Sequence, residues 1–244
     1  WKNFISTALI IIIVSTVTGE EMFTELSATR TGVFALICAC VWVGLFNSIR
    51  SVCRERDIVK REYRTGLHIS SYVLAHAVYE MMICAGEALI IFLVVYIKNM
   101  SHFPSTGLVF TRSIDMYITF WIVIFSSDML ALMISCIVRS ESTAMTVMPF
   151  VLIVQLVMAG TIFELSGLTE MISYFTISKW GFDAVCSIAN TNTFLYAAYM
   201  AAGKSGAEPN MGNLMFAWTF MIAYAVIYIA IGIIALKQVD RDKR

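Results

Sequence analysis

Charged residues make up only 14% of this chain, against 59% hydrophobic residues. The mean hydropathy is +0.79. A soluble domain carries about 25% charged residues, so a free-standing water-soluble fold is excluded. Histidine is also scarce: His68, His76 and His102 are scattered, and no HExxH, GxSxG or paired catalytic aspartate motif occurs. That removes the usual grounds for an intramembrane enzyme. The Walker A pattern GxxxxGK[ST] is missing, so the chain has no sequence for hydrolysing ATP by itself. None of the six cysteines forms a CxxC or a Cys/His cluster with metal spacing. Cys38 and Cys40, two apart, cannot face one another on a helix; the thiols read as buried structural groups, and no metal is expected. A formal net charge of zero gives no sign of nucleic-acid binding. There is no tandem repeat, no low-complexity tract and no convincing inverted repeat, which weighs against many secondary carriers.

What the chain does have is six long apolar runs, at residues 4–19, 31–49, 70–97, 116–138, 142–163 and 212–236. Roughly 20 apolar residues cross about 30 Å of hydrocarbon as a helix. Continuous runs exclude barrel strands, which would alternate every second residue. Lysine and arginine set the orientation. Lys2, the cluster Arg50, Arg54, Arg56, Lys60, Arg61 and Arg64, then Arg139 and the group from Lys237 to the end fall on one side. The other side holds fewer basic residues and the acidic Glu20, Glu21 and Glu25. The reading is an all-α membrane protein with six transmembrane helices and both termini cytoplasmic. The chain opens on Trp1 and enters its first run almost at once, which is expected of a piece of a longer protein.

Residues 50–67 are the densest charge cluster, with Val52, Val59 and Tyr63 spaced as one apolar stripe and Ile58 flanking it. Asp57 and Arg61 form an acid-first i,i+4 pair, and Gly66 is a natural stop. A charged cytoplasmic helix between two spans is either a solvated elbow or a docking surface for a cytoplasmic partner. On the far side, residues 164–211 are too long for a turn. Within them, 173–188 is apolar enough to lie in the outer leaflet but too short to cross, and 203–212 reads as an exposed tip.

Two motifs carry a family resemblance. Glu55–Arg56 through Arg61–Glu62, then Gly66, then Ser71, Tyr72, Val73, Leu74, Ala75 and Glu80 make an ER…RE…G…SYxLAxxxxE pattern. Ala159, Gly160, Thr161 and Ile162, followed by Ile172, Ser173, Tyr174 and Phe175 and by Ser178, Lys179, Trp180, Gly181 and Phe182, make the second. With six spans and a short fourth-to-fifth loop, the chain resembles the transmembrane domain of ATP-binding-cassette exporters of the G subfamily and their bacterial relatives. It departs from the family at His76, where lysine is common, and at Met81 and Met82, where proline often follows Glu80. A bacterial-type relative in the cytoplasmic membrane is the expectation.

The resemblance implies two copies side by side, each coupled to a nucleotide-binding domain upstream or on a separate subunit, which would hold the ATP and Mg. It implies a coupling element built on Glu55, Arg56, Arg61, Glu62 and Gly66, and a re-entrant helix after the fifth span. It places the substrate path between the second and fifth spans, with Cys40, Val43, Asn47, Leu152, Ile153 and Leu156 as lining candidates. Ordinary helix packing is the competing account of those six. Thr161 and Ile162 stand where the family carries its apolar plug, expected here to work as a gate by dewetting.

Ionisable residues inside spans are costly and face protein or water. Glu80 matches a family position near the start of the third span. A structural role is expected of Glu80, and structural hydrogen bonding is the expectation for Glu87, two turns on, and for Asp128 in the fourth span; contact with a cationic substrate, pairing with His76 and proton carriage are the competing readings of those two. Pro149 interrupts the fifth span, as a flexing point or a fixed kink. The expected cargo is lipophilic or amphipathic. An ion-gradient carrier or channel using Glu80, Glu87 and Asp128 is the rival account.

Overall fold

The computed structural model describes residues 2–19, 22–104, 106–160, 167–190, 193–201 and 210–237. Among them every regular element is helical. The order is α1 (Lys2–Val17), α2 (Leu26–Ser48), α3 (Ser51–Arg64), α4 (Ile69–Lys98), α5 (Arg112–Ile137), α6 (Glu141–Val157), α7 (Leu168–Ser173), α8 (Ile177–Ala189), α9 (Thr193–Ala201) and α10 (Met211–Lys237). Among the described residues four helices are long and apolar enough to cross a membrane: the continuous stretch Leu26–Arg64 that joins α2 to α3, and α4, α5 and α10.

The first and fifth apolar runs form shorter helices. α1 has 16 residues and α6 has 17, or about 24 and 26 Å at 1.5 Å per residue. The fifth run was expected to continue to 163. Helix α6 instead stops at Val157, and Gly160 turns the chain with φ +72°. Thr161 and Ile162, and residues 203–209 of the exposed tip, lie outside the described residues. Helix α6 runs through Pro149 without a break.

Helix α5 is the hub, with α2, α4, α8 and α10 packed around it. Its buried residues fall on every side, mostly apolar with Thr119, Ser126, Ser127, Asp128 and Ser135 among them. Between apolar surfaces in a bilayer, association rests on close packing and on polar contacts. Both occur here. A Cβ on Gly44 of α2 would lie 2.4 Å from the Ile124 carbonyl oxygen of α5. Ser126 Oγ donates to the Met221 carbonyl of α10 (2.9 Å), and Trp218 Nε1 donates to Thr119 Oγ1 (3.0 Å).

Side chains also close helix ends. Lys98 Nζ at the end of α4 reaches the carbonyls of Ser15 and Thr18, meeting the negative end of α1. The Asp115 carboxylate accepts from the backbone N–H groups of Leu108, Val109 and Phe110 at 2.8–3.0 Å, tying the α4–α5 loop to α5. The run at 173–188 becomes one short helix, α8, which begins at Ile177 after a turn that separates it from α7, ending at Ser173. The N–H groups of Ile177 and Ser178 donate to Gln155 Oε1 of α6 at 3.0 and 3.2 Å. That borrowed cap sets where α8 starts.

Candidate functional site

The elbow forms a helix, and two of the three residues of its stripe turn inward. Val52 and Val59 are buried in an apolar cluster with Ile69, Val73, Met129 and Leu132, whereas Ile58 and Tyr63 are exposed. Arg50 precedes α3 and provides no side-chain cap. The cap comes from α5: Ser135 Oγ accepts the N–H groups of Val52 and Cys53, both at 3.1 Å. In return, Arg56 Nη1 donates to the carbonyls of Cys136 (3.0 Å) and Val138 (2.9 Å), closing the carboxyl end of α5. Glu55 Oε2 accepts from the Tyr72 hydroxyl at 2.8 Å and lies 3.8 Å from His76 Nε2, both on α4.

Glu55 and Arg56 are thus anchors of α3 onto the bundle. Arg61 and Glu62 are exposed, as are Asp57 and Ile58 one turn earlier. Gly66 has φ +111°; Gly66 N–H donates to the Tyr63 carbonyl and Leu67 N–H to the Glu62 carbonyl, a Schellman stop. Beside it opens a cavity of about 580 Å³ with Arg64, His68 and Lys237 in its wall.

Of the six lining candidates, Cys40, Val43 and Leu152 are buried, Asn47 and Leu156 are half-buried, and Ile153 is 55% exposed. Helices α2 and α6 are neighbours. Val43 and Asn47 share a face, as their spacing requires, and that face looks onto α1. Together with Asn3, Thr7 and Arg50 they line a cavity of about 190 Å³. The exposed edge of α6 carries Phe150, Ile153 and Val154.

The three membrane carboxylates are buried. Glu87 accepts from Asn47 Nδ2 of α2 (2.7 Å) and from Thr7 Oγ1 of α1 (3.2 Å). Cys84 Sγ lies 3.6 Å from Asp128 Oδ2. Glu80 Oε2, Asp128 Oδ1 and Ser48 Oγ are buried without a hydrogen-bond partner. The reading in which Glu87 or Asp128 pairs with His76 is corrected: His76 lies 3.8 Å from Glu55 on the elbow, and Glu87, about three turns further along α4, bonds Asn47 and Thr7 instead. Sequence reasoning missed Ser135, Gln155 and Thr7. For Ser135 and Gln155 the available signal was a polar residue within an apolar helix, with α3 and α8 lacking a side-chain cap of their own.

The family model described as ABC-2 type transporter matches residues 1–190. A Mycobacterium tuberculosis protein named as an ABC transporter ATP-binding/permease protein is 23% identical over 146 residues, 59% of this chain. The matched segment spans 17% of that relative's length.

Proposed function

The chain belongs to the ABC-2 type transporter family, and from that premise we propose that two copies of it form the translocation pathway of an ATP-driven exporter for a lipophilic or amphipathic substrate. Family membership makes it the membrane component of an ABC transporter, a permease and not itself an ATPase. The ATP-binding partner, fused or separate, presses on α3 and supplies ATP and Mg. In the full assembly six helical segments of each copy lie in the membrane, both termini face the cytoplasm, and α8 is re-entrant.

The observation that carries this reading is the way α3 is held. Glu55, itself about half exposed, and Arg56 bind it to α4 and to the end of α5, while Arg61 and Glu62 are exposed. A push on the outer face is therefore delivered to α5, the helix that touches α2, α4, α8 and α10. The exposed residues Phe150, Ile153 and Val154 of α6, with Trp42 and Phe46 of α2, supply apolar surface for a second copy and for the path between copies.

The test is transport by the complete protein with its ATP-binding part in proteoliposomes. ATP-dependent movement of an amphipathic substrate, lost when the ATP-binding part is inactivated, is expected. Full transport by this chain alone under an ion gradient overturns the reading.

A further inference from the structure

At the end of the bundle remote from α3, helices α8 and α10 enclose a cavity that the exporter reading does not use. Its position follows from α10, whose Gly232 meets Cys136 beside the elbow, whereas the cavity sits on the first turns of the same helix. The volume is about 330 Å³, and the lining is Trp180 and Asp183 from α8 with Asn213, Phe216 and Phe220 from α10. The spacing explains the convergence: i,i+3 on α8 and i,i+3,i+7 on α10 put each set on one face.

The walls are built and braced. Trp180 and Phe220 stack with centroids 4.4 Å apart and planes 15° apart. The indole is pinned by Nε1 donating to the Tyr174 carbonyl at 2.8 Å, and Tyr224 OH donates to the same oxygen at 2.6 Å. Among the described residues of the lining the Asp183 carboxylate is the sole charge, and the Lys179 ammonium lies near enough to favour its ionised form. Lys179, one turn earlier, has its Nζ 4.2 Å from the centre of the Tyr174 ring. Aromatic rings around a single carboxylate match an organic cation: the ring quadrupoles attract diffuse positive charge and the carboxylate neutralises it. Such a volume suits a headgroup rather than a bare metal ion.

What lies below the cavity indicates how the cation arrives. Phe220, Ile227, Ile231 and Ile234 repeat at helical spacing along α10 and are all at least 40% exposed. The stripe continues from the cavity wall toward the elbow end, the geometry of a surface covered by an acyl chain.

We propose that this cavity receives the ammonium headgroup of a membrane lipid, with Asp183 as its counter-charge and Trp180, Phe216 and Phe220 as its walls, the lipid tail lying along the α10 stripe. The site needs neither an ATP-binding partner nor a path between copies, so its failure and that of the exporter reading are distinguishable.

The test uses the full chain in a neutral detergent, titrated with dioctanoyl phosphatidylcholine or dioctanoyl phosphatidylglycerol while the melting temperature is followed. The tails are equal, so a difference reports the headgroup. Saturable stabilisation is expected at a roughly fivefold to tenfold lower concentration of the choline lipid. Asp183→Asn should bring the two lipids to parity, and Asp183→Glu should keep the preference. Should Asp183→Asn not fold, Phe216→Leu, at a residue 64% exposed, should weaken the preference with the carboxylate in place. Parity in the unmodified protein, or a preference untouched by these substitutions, overturns the proposal. So does tetramethylammonium alone reproducing the whole effect at the same concentration, which would make the ligand a soluble cation.

Discussion

Ser135 caps a helix to which it does not belong: its hydroxyl, on α5, accepts the N–H of Val52 at the start of α3. The same oxygen serves Cys53, so two orphan donors of the elbow depend on one side chain. Removing a capping oxygen costs about 1–2 kcal/mol. Ser135→Ala is expected to lower the melting temperature in nanodiscs by that order and to loosen α3, read as faster proteolysis between α2 and α4. Ser135→Thr keeps the hydroxyl and should restore most of the loss. Equal stability of the alanine variant would mean the cap does not hold the elbow.

Glu62 sits on the opposite face of this arrangement. Its side chain is exposed, and surface substitutions usually stay within about 0.5 kcal/mol. Glu62→Ala should therefore insert and melt like the parent. If α3 is the contact for the ATP-binding part, the variant should move less substrate per ATP, by roughly fivefold for a contact worth about 1 kcal/mol. Unchanged transport per ATP hydrolysed counts against the coupling role.

Residues such as Ile69 and Lys98 show how much of the fold can be read directly. The third apolar run, 70–97, becomes α4 (Ile69–Lys98), because run length and flanking charge alone fix such a helix. Where the boundary depends on a distant partner, reading fails: α8 starts at Ile177 because Gln155 of α6 receives its first N–H groups. The elbow was legible as an amphipathic stripe, but the bonds that Glu55 and Arg56 make to the bundle were not. Their partners Tyr72 and Cys136 are 17 and 80 residues away. Val43 and Asn47 share a face as their spacing requires, yet spacing cannot say which helix that face meets, and it meets α1.

Gly44 marks the closest approach of α2 to α5. A Cβ there would meet the Ile124 carbonyl oxygen at 2.4 Å and the Asp128 nitrogen at 3.0 Å, both backbone atoms that cannot swing aside. Gly44→Ala is expected to cost about 1–3 kcal/mol through overpacking, seen as a lower yield of monodisperse protein and a lower melting temperature. Gly232→Ala is the control: its Cβ would find Cys136 Sγ at 3.4 Å, an ordinary contact. That variant should match the parent or gain slightly from the lost backbone freedom. If both variants behave alike, close backbone approach is not what joins α2 to α5.

Glu87 gathers three helices through one carboxylate. One oxygen takes Asn47 Nδ2 of α2, the other takes Thr7 Oγ1 of α1, and Asn3 Nδ2 extends the chain to Asn47 Oδ1 at 3.3 Å. Helix α1 has only 16 residues, so a polar tie inside the bundle matters more to it than to its longer neighbours. Interhelical hydrogen bonds in membranes average about 0.6 kcal/mol and reach about 1.7. Glu87→Ala strands Asn47 Nδ2, whereas Thr7 Oγ1 keeps the Asn3 carbonyl, and should cost about 1–2 kcal/mol. Glu87→Gln retains one acceptor oxygen, so it should fall between the parent and alanine. Melting temperatures in that order, with easier labelling of a cysteine placed at Ser6, indicate that Glu87 holds α1 in place. An altered substrate range at unchanged stability would instead put Glu87 in the translocation path, and the structural role would be lost.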